Sequence, residues 1–239
     1  MANLLIGTLF ASYLAVASLC SASTYAGILQ VGFAELPITP PVIDEWVDVN
    51  DDAQFDPDID TWTDINGNGV FDPVWIAGFQ KGRAAQGIKD DLMAVAVVID
   101  DGDQRMAVVA VDANGLKRKF VLDVRQSINK EWGLDHLMIH ATHNHEGPDT
   151  QGLWGPSLFE SGVDHGYMRE LKGSILSVIG TAISKLEPAE MSIARIAADP
   201  RTPIKDKRKP IVIDEDIRAL LFRRPDPVSY THLRAHETS

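Results

Sequence analysis

The sequence predicts a layered α/β domain in which helices flank a mixed β-sheet. Residues 92–100 and 105–112 are rich in valine, isoleucine and alanine, and an Asp-Asp-Gly-Asp turn at residues 100–103 joins them as a hairpin. Apolar residues at helical spacing mark residues 117–131 and 167–186. Helices that alternate with strands are typical of a sheet covered by helices.

Each remaining element rests on its own pattern. The first helix carries Phe120, Val121, Val124 and Ile128 near helical spacing. The apolar run 137–139 predicts a short buried strand, which ends before the Gly-Pro pair at residues 147–148. The second helix should end before Pro188, and residues 191–197 and 217–222 predict two further strands.

Composition limits the kinds of partner. The chain has 239 residues, of which 45% are hydrophobic, so it can bury a sizeable core, and one large domain is favoured over two small ones. Its 22 basic and 34 acidic residues give a formal net charge of −12. This charge disfavours nucleic acid as a partner and leaves the oligomeric state open.

The first 26 residues have the pattern of a secretory signal peptide. Residues 4–19 are apolar, and small residues suited to signal-peptidase cleavage follow them. The segment lacks a lysine or arginine, so a short membrane anchor is the alternative, and Cys20 raises the possibility of a lipoprotein. We expect a secreted, periplasmic or cell-surface protein without a disulfide, because Cys20 is the only cysteine.

An acidic insertion at residues 44–73 contains a calcium-loop pattern. Its residues follow the order Asp-x-Asn-x-Asn-Gly-x-x-Asp, with the oxygen-bearing side chains at Asp64, Asn66, Asn68 and Asp72. Such oxygens around a glycine turn suit Ca²⁺, although Trp75 replaces the final glutamate of an EF-hand. A solvated acidic loop is the alternative, since these are also ordinary turn residues.

The segment Thr142-His143-Asn144-His145-Glu146-Gly147-Pro148 is the strongest candidate site. If the extended backbone persists through Thr142, alternation places His143 and His145 on one face, where they can share a zinc ion. Alternatively, one histidine caps the strand end and the other is solvated. Glu146 can ligate a metal, act as a base, or accept a hydrogen bond.

Several segments together resemble the neutral, non-lysosomal ceramidase family. They are VGFAELPITPP at residues 31–41, the Gly-Ile pair at 87–88, the strands 93–100 and 109–112, and ATHNHEGP at 141–148. The resemblance covers about residues 28 to 222 and implies that residues 27–224 are the N-terminal portion of a catalytic domain, hence an incomplete one. It further implies hydrolysis of the amide bond of an N-acylsphingosine-like lipid.

The resemblance assigns roles to individual residues. His143 corresponds to a zinc ligand and His145 supports it, whereas Arg208 falls where the family has an active-site arginine. A solvated loop is the alternative for Arg208. The chain departs from the family at Lys89, where many members have histidine, and at Glu146, where they have serine. Either change is expected to alter substrate choice.

Other family residues have no counterpart here. The second zinc histidine, the glutamate and tyrosine ligands and the nucleophilic serine lie further along in the family, so we expect this fragment to be inactive. Residues 225–239 show no apolar periodicity and are expected to be a disordered, artefactual tail, with no role for His232 and His236.

Trp154 follows the histidine motif and is a candidate for an apolar substrate pocket that also involves Glu146. Packing of a long loop onto the core is the alternative for Trp154. Two functions follow from the sequence: a secreted zinc amidohydrolase that contacts membranes through its lipid substrate, or a non-catalytic secreted calcium-binding module. A metallophosphoesterase is disfavoured because its Asp-x-His and Gly-Asp-x-x-Asp motifs are missing.

Overall fold

A computed structural model describes residues 29–197, 209–210, 212–213 and 216–225. Within them a five-stranded mixed sheet has the order β6-β5-β4-β1-β7. Its strands are β1 (Gln30–Pro37), β4 (Met93–Asp100), β5 (Arg105–Val111), β6 (His136–Ala141) and β7 (Glu187–Pro188). Neighbours pair antiparallel except β5 and β6, which are parallel. The predicted mixed sheet with flanking helices is therefore confirmed.

The other elements lie around this sheet. Strands β2 (Glu45–Val47) and β3 (Thr61–Thr63) pair with each other, as do β8 (Glu190–Ala197) and β9 (Asp216–Arg223). The helices are α1 (Arg118–Gln126) and α2 (His165–Ser184), and a 3₁₀ turn spans Lys130–Trp132. Neither helix in the described part of the chain is long and apolar enough to cross a membrane.

Helix α2 packs on one face of the sheet because the strands present small side chains there. Ala94, Ala96 and Val98 alternate along β4 and are fully buried beneath the helix. At Gly32 in β1, a Cβ atom would lie within 2 Å of the carbonyl oxygen of Ala182. This close approach lets α2 bury Leu171, Ile175 and Ile179 against the sheet.

The opposite face is covered in part by the β8–β9 hairpin. Phe222 of β9 packs with Val31 and Val97 in a second, smaller cluster. Phe222 is distant in sequence from Val31 and Val97, so this contact depends on tertiary structure.

Some predicted boundaries and elements were wrong. The helix expected over 117–131 ends at Gln126, because Asn129 accepts a hydrogen bond from the Glu131 backbone N–H and starts a separate 3₁₀ turn. Helix α2 begins two residues earlier than predicted, since Asp164 caps it by accepting bonds from the N–H groups of Gly166 and Tyr167. Strand β1, which lies between β4 and β7, was not predicted at all.

The acidic segment is more structured than its composition indicates. Its aromatic rings form a chain of contacts, with centroid distances of 5.6 Å for Trp46–Phe55, 4.2 Å for Phe55–Phe71 and 5.4 Å for Trp62–Phe71. The buried carboxylate of Asp44 accepts bonds from the backbone N–H groups of Ile65 and Asp72. A small aromatic core and the buried carboxylate of Asp44 thus hold the loop of residues 64–72 in place.

Candidate functional site

The histidine motif lies where two parallel strands end side by side. Strands β5 and β6 are parallel and Val111 pairs with Ala141, so the residues after each strand meet at the same edge of the sheet. Thr142 continues this pairing through a 2.9 Å bond from its N–H to the Val111 carbonyl. Residues 112–114 and 142–145 are therefore neighbours.

The backbone leaves the extended conformation at His143. Its φ is +62°, a left-handed value that only a few per cent of non-glycine residues adopt. The prediction that strand alternation aligns His143 and His145 is therefore wrong in its premise. A turn, together with contacts from another loop, brings the two rings together instead.

The ring of His143 is fixed by a backbone carbonyl. Its Nδ1 lies 2.7 Å from the carbonyl oxygen of Asn114, whose own side chain is buried. A carbonyl oxygen only accepts hydrogen bonds, so Nδ1 carries the proton and donates it. In the neutral ring Nε2 then holds the free lone pair, which is the form that binds metals.

The two imidazoles face each other through their Nε2 atoms, which lie 3.5 Å apart. The ring centroids are 5.1 Å apart and the planes meet at 75°. Two nitrogens bound to one tetrahedral zinc ion, each at 2.0–2.1 Å, are separated by about 3.4 Å. The spacing of the two Nε2 atoms therefore suits a shared ion.

The loop 78–83 holds His145 from the other side. A Cβ atom on Gly78 would lie 2.4 Å from Cγ of His145, and the φ of Gly78 is +115°, so the backbone of this residue packs directly on the ring. The Phe79 ring meets the imidazole edge-on at 4.8 Å. This loop is anchored beside the motif by the bridge between Ile76 and Pro148.

Arg83 ties the same loop to the motif backbone. Its guanidinium donates to the carbonyl oxygen of His145 at 3.1 Å and pairs with the Glu146 carboxylate at 2.8 Å. Its Cζ also lies 5.2 Å from the centroid of Phe79. Glu146 thus acts as a hydrogen-bond acceptor here, and its side chain is mostly exposed.

Asp112 supports the motif from beneath. One carboxylate oxygen accepts a bond from the Thr142 hydroxyl at 3.0 Å, and the other accepts the Met93 N–H at 2.9 Å. Burial, and secondarily the negative charge of Asp112, raises the pKa of the Tyr167 hydroxyl above its ordinary value. That hydroxyl has no hydrogen-bond partner among the described residues.

A cleft of about 540 Å³ lies beside the motif. Asn144 and Glu146 line it on one side and Lys89 on another, with apolar walls that include Ile76 and Ile88. Lys89 is therefore close to the motif.

Trp154 is half-buried in the loop that follows the motif. Its Nε1 donates to the Phe79 carbonyl at 3.1 Å, so it contacts the loop that holds His145. The buried Asp149 organises this region by accepting four backbone N–H bonds, from Gln151, Gly152, Trp154 and Gly162.

The structure brings the calcium-loop side chains together at a separate place. The side-chain amides of Asn66 and Asn68 both donate to Oδ2 of Asp72, at 2.7 and 2.6 Å. Asp64 accepts the backbone N–H groups of Gly67, Asn68 and Gly69. The loop has the compact turn that the sequence predicts, while ion binding stays a prediction.

One predicted site residue lies outside the described part of the chain, and the described residues contain no complete metal-binding group. Arg208 lies outside the described residues, as do His232, His236 and the predicted signal peptide. In the described part of the chain, no group of three or more His, Cys, Asp or Glu side chains is placed to hold a metal. His143 and His145 therefore form a pair of potential metal ligands, and no third His, Cys, Asp or Glu joins them in the described part of the chain.

Sequence reasoning missed Gly78, Phe79, Arg83 and Asn114. None of them belongs to a local motif. Gly78, Phe79 and Arg83 lie beside the site because Ile76 bridges to Pro148. Asn114 lies there because β5 pairs with β6. The one available signal was the position of Asn114 just after an apolar strand, where polar residues of α/β sheets often serve a site.

No family model matches the sequence. Two solved structures with a similar fold are ceramidases. A ceramidase complexed with C2 has a TM-score of 0.58 and 18% identity, over 82% of this chain and 29% of that one. The neutral ceramidase from Pseudomonas aeruginosa has a TM-score of 0.57 and 16% identity, over 82% of this chain and 30% of that one. The expected likeness to this family is confirmed as a likeness of fold, and the chain spans less than a third of each solved chain.

Proposed function

We propose that this chain is the N-terminal portion of a secreted, zinc-dependent amidohydrolase that cleaves the amide bond of an N-acylsphingosine-like lipid. The observation that carries the proposal is the pair of imidazoles whose Nε2 atoms face each other at 3.5 Å. The fold of the chain supports the proposed substrate class, because two solved structures with a similar fold are ceramidases and one of them is complexed with C2.

His143 and His145 are the proposed zinc-binding residues. The contact from Asn114 holds His143 with its Nε2 lone pair toward His145, so His143 has its metal-binding tautomer before an ion arrives. Bound zinc would polarise the amide carbonyl or activate a nucleophile. The remaining donors would come from outside the described residues, and we expect the 239-residue chain alone to be inactive.

Other residues position the site and the substrate. Arg83 holds the backbone of the motif through the His145 carbonyl, and Arg208 is proposed to orient the substrate. We propose that Glu146 and Trp154 border the substrate, Glu146 at the cleft that Lys89 shares and Trp154 beside Phe79. The apolar walls of that cleft suit a hydrocarbon chain.

Metal analysis tests the proposal. The zinc content of the 239-residue chain and of a version completed from its native gene is measured with and without His143→Ala. His140→Ala is the control, since His140 is an exposed residue of β6. We expect one zinc ion in the completed protein, lost with His143→Ala and retained with His140→Ala.

Zinc that survives His143→Ala and His145→Ala would contradict the metal assignment. A completed, zinc-loaded protein that leaves N-acylsphingosine intact would contradict the substrate class alone.

A further inference from the structure

Three short backbone segments lie side by side next to the histidine motif. Residues 74–77 occupy the middle and pair on one side with residues 82–85, through backbone hydrogen bonds of 2.8 and 2.9 Å. On the other side they pair with residues 147–149, which include the end of the motif, through bonds of 2.9 and 2.8 Å. We call residues 82–85 the outer edge. Its position determines how the middle segment meets the motif.

The acidic segment, residues 44–73, supplies hydrogen bonds to this outer edge. Nε1 of Trp46 donates to the carbonyl of Ala84 at 3.3 Å, and the Phe55 N–H donates to the carbonyl of Gly82 at 2.7 Å. Trp46 and Ala84 are both buried. Buried backbone carbonyls need a donor, so these two bonds fix the outer edge against the acidic segment.

The carboxylate of Asp60 holds Phe55 in place. Asp60 is buried, and its two oxygens accept the N–H of Val49 at 2.9 Å and the N–H of Asp56 at 2.7 Å. These donors lie on either side of Phe55 in the sequence, so the carboxylate closes the stretch between them into a loop. The Phe55 ring then meets the Trp46 ring edge-on, with centroids 5.6 Å apart.

The outer edge continues into the residues that contact His145. Arg83 belongs to it and donates to the His145 carbonyl at 3.1 Å. Gly78 and Phe79, just before it, pack on the imidazole, and the Phe79 ring lies 4.8 Å away. The acidic segment is therefore connected to the His145 ring through loop 78–83.

The two imidazoles have different supports. Nδ1 of His143 bonds to the carbonyl of Asn114, which follows β5 of the main sheet. The ring of His145 is packed against loop 78–83 instead. The 3.5 Å spacing of the two Nε2 atoms therefore depends on how accurately this loop is placed relative to the sheet.

We propose that Trp46, Phe55 and Asp60 are positioning residues that set the spacing of the two imidazoles through loop 78–83. The consequence for zinc binding rests on the proposed function, whereas the placement of His145 is measurable without a metal. The acidic segment thus serves the histidine pair through its packing and hydrogen bonds, independently of any ion that it binds.

Asp60→Asn is the first test, because its carboxylate accepts only N–H groups of the acidic segment itself among the described residues. The new amide nitrogen cannot accept a hydrogen bond, so Phe55 should lose its fixed place. Asp58→Asn is the matched control, since it removes the same charge from an exposed residue of the same segment.

Trp46→Phe is the second test, because it removes the N–H that the Ala84 carbonyl accepts and keeps an aromatic ring. Trp62→Phe is its control, since Trp62 faces Trp46 across the β2–β3 pair and its ring contacts Phe71.

The first measurement is the nuclear Overhauser effect between the rings of Phe79 and His145 in the 239-residue chain. It should be present in the unchanged chain and in both controls, and lost in both test variants. Methyl signals of the buried Ile175 and Ile179 show in the same sample whether the main core is intact. The second measurement is the zinc affinity of the completed protein, which should fall about tenfold in the test variants alone.

An unchanged ring-to-ring signal in both test variants would overturn the proposal, as would its loss together with the core signals, because the effect would then be general unfolding. A fall in zinc affinity that Asp58→Asn matches would also overturn it, since charge rather than position would be the cause. Loss of the ring-to-ring signal in the test variants alone, with no zinc bound by the completed protein, would contradict the proposed function and leave the positioning role intact.

Discussion

The ring of His143 donates from Nδ1 to the backbone carbonyl of Asn114 at 2.7 Å, and this bond joins the ends of strands β5 and β6. Because the acceptor is a backbone atom, the tautomer of His143 depends on the strand pairing that places this carbonyl. The orientation of the His143 ring therefore depends on how β5 and β6 pair. Changes that disturb the neighbouring loops should alter metal binding even where they leave both histidines in place.

Gly78→Ala should weaken zinc binding and lower the free energy of unfolding by about 2 kcal/mol. The φ of +115° is unfavourable for alanine, and the new Cβ would lie 2.4 Å from the His145 ring. Urea denaturation and zinc titration measure the two effects. Gly87→Ala is the matched control, since a Cβ there meets no described atom within 4 Å. Equal effects of the two substitutions would show that Gly78 does not position His145.

Asp149→Asn should destabilise the protein by about 3 kcal/mol. An amide nitrogen cannot accept, so two of the four backbone N–H groups that the carboxylate binds, such as those of Trp154 and Gly162, would lose their acceptor in a buried site. Urea denaturation measures the loss. Glu160→Gln, an exposed carboxylate of the same loop, should change stability by less than about 0.5 kcal/mol. A similarly small effect of Asp149→Asn would rule out the carboxylate as the organiser of this loop.

Tyr167→Phe should raise the free energy of unfolding by about 1 kcal/mol near neutral pH, because it removes a buried hydroxyl without a partner among the described residues. Burial raises the pKa of this hydroxyl in the folded protein above its ordinary value of 10.0. The unfolded chain therefore loses the proton first, and stability falls as the pH rises above about 10.

Denaturation curves measured across that pH range should show a smaller fall for Tyr167→Phe than for the unchanged chain. Ser177→Ala, which removes an exposed hydroxyl from the same helix, is the control and should keep the full fall. A destabilised Tyr167→Phe variant would mean that the hydroxyl is bonded in solution.

Calcium should raise the melting temperature through the loop of Asp64, Asn66, Asn68 and Asp72. An ion at 100 times its dissociation constant stabilises a folded protein by about 2.7 kcal/mol. Asp64→Asn should abolish the calcium-dependent shift, whereas Asp103→Asn, in the exposed turn between β4 and β5, should keep it. Equal melting temperatures with and without calcium would remove the loop as a calcium site.

The elements that the sequence predicted well are those with a strong local pattern. The apolar run of β4 and the helical spacing of Leu171, Ile175 and Ile179 in α2 reflect burial on a known face, which periodicity records directly. Strand β1 was missed because its residues, Gly32 and Pro37 among them, do not form a conventional strand pattern. It is a strand because β4 and β7 pair with it on both sides.

The sequence by itself determined the class of the fold, the resemblance to ceramidases and the two histidines, because these depend on local patterns and residue types. The tertiary structure alone decided how the imidazoles meet. The left-handed backbone at His143, the carbonyl of Asn114 and the close approach of Gly78 come from segments that are distant in sequence. Their contacts form only when β5 and β6 pair in parallel and loop 78–83 packs beside them, and no pattern within one segment specifies such packing.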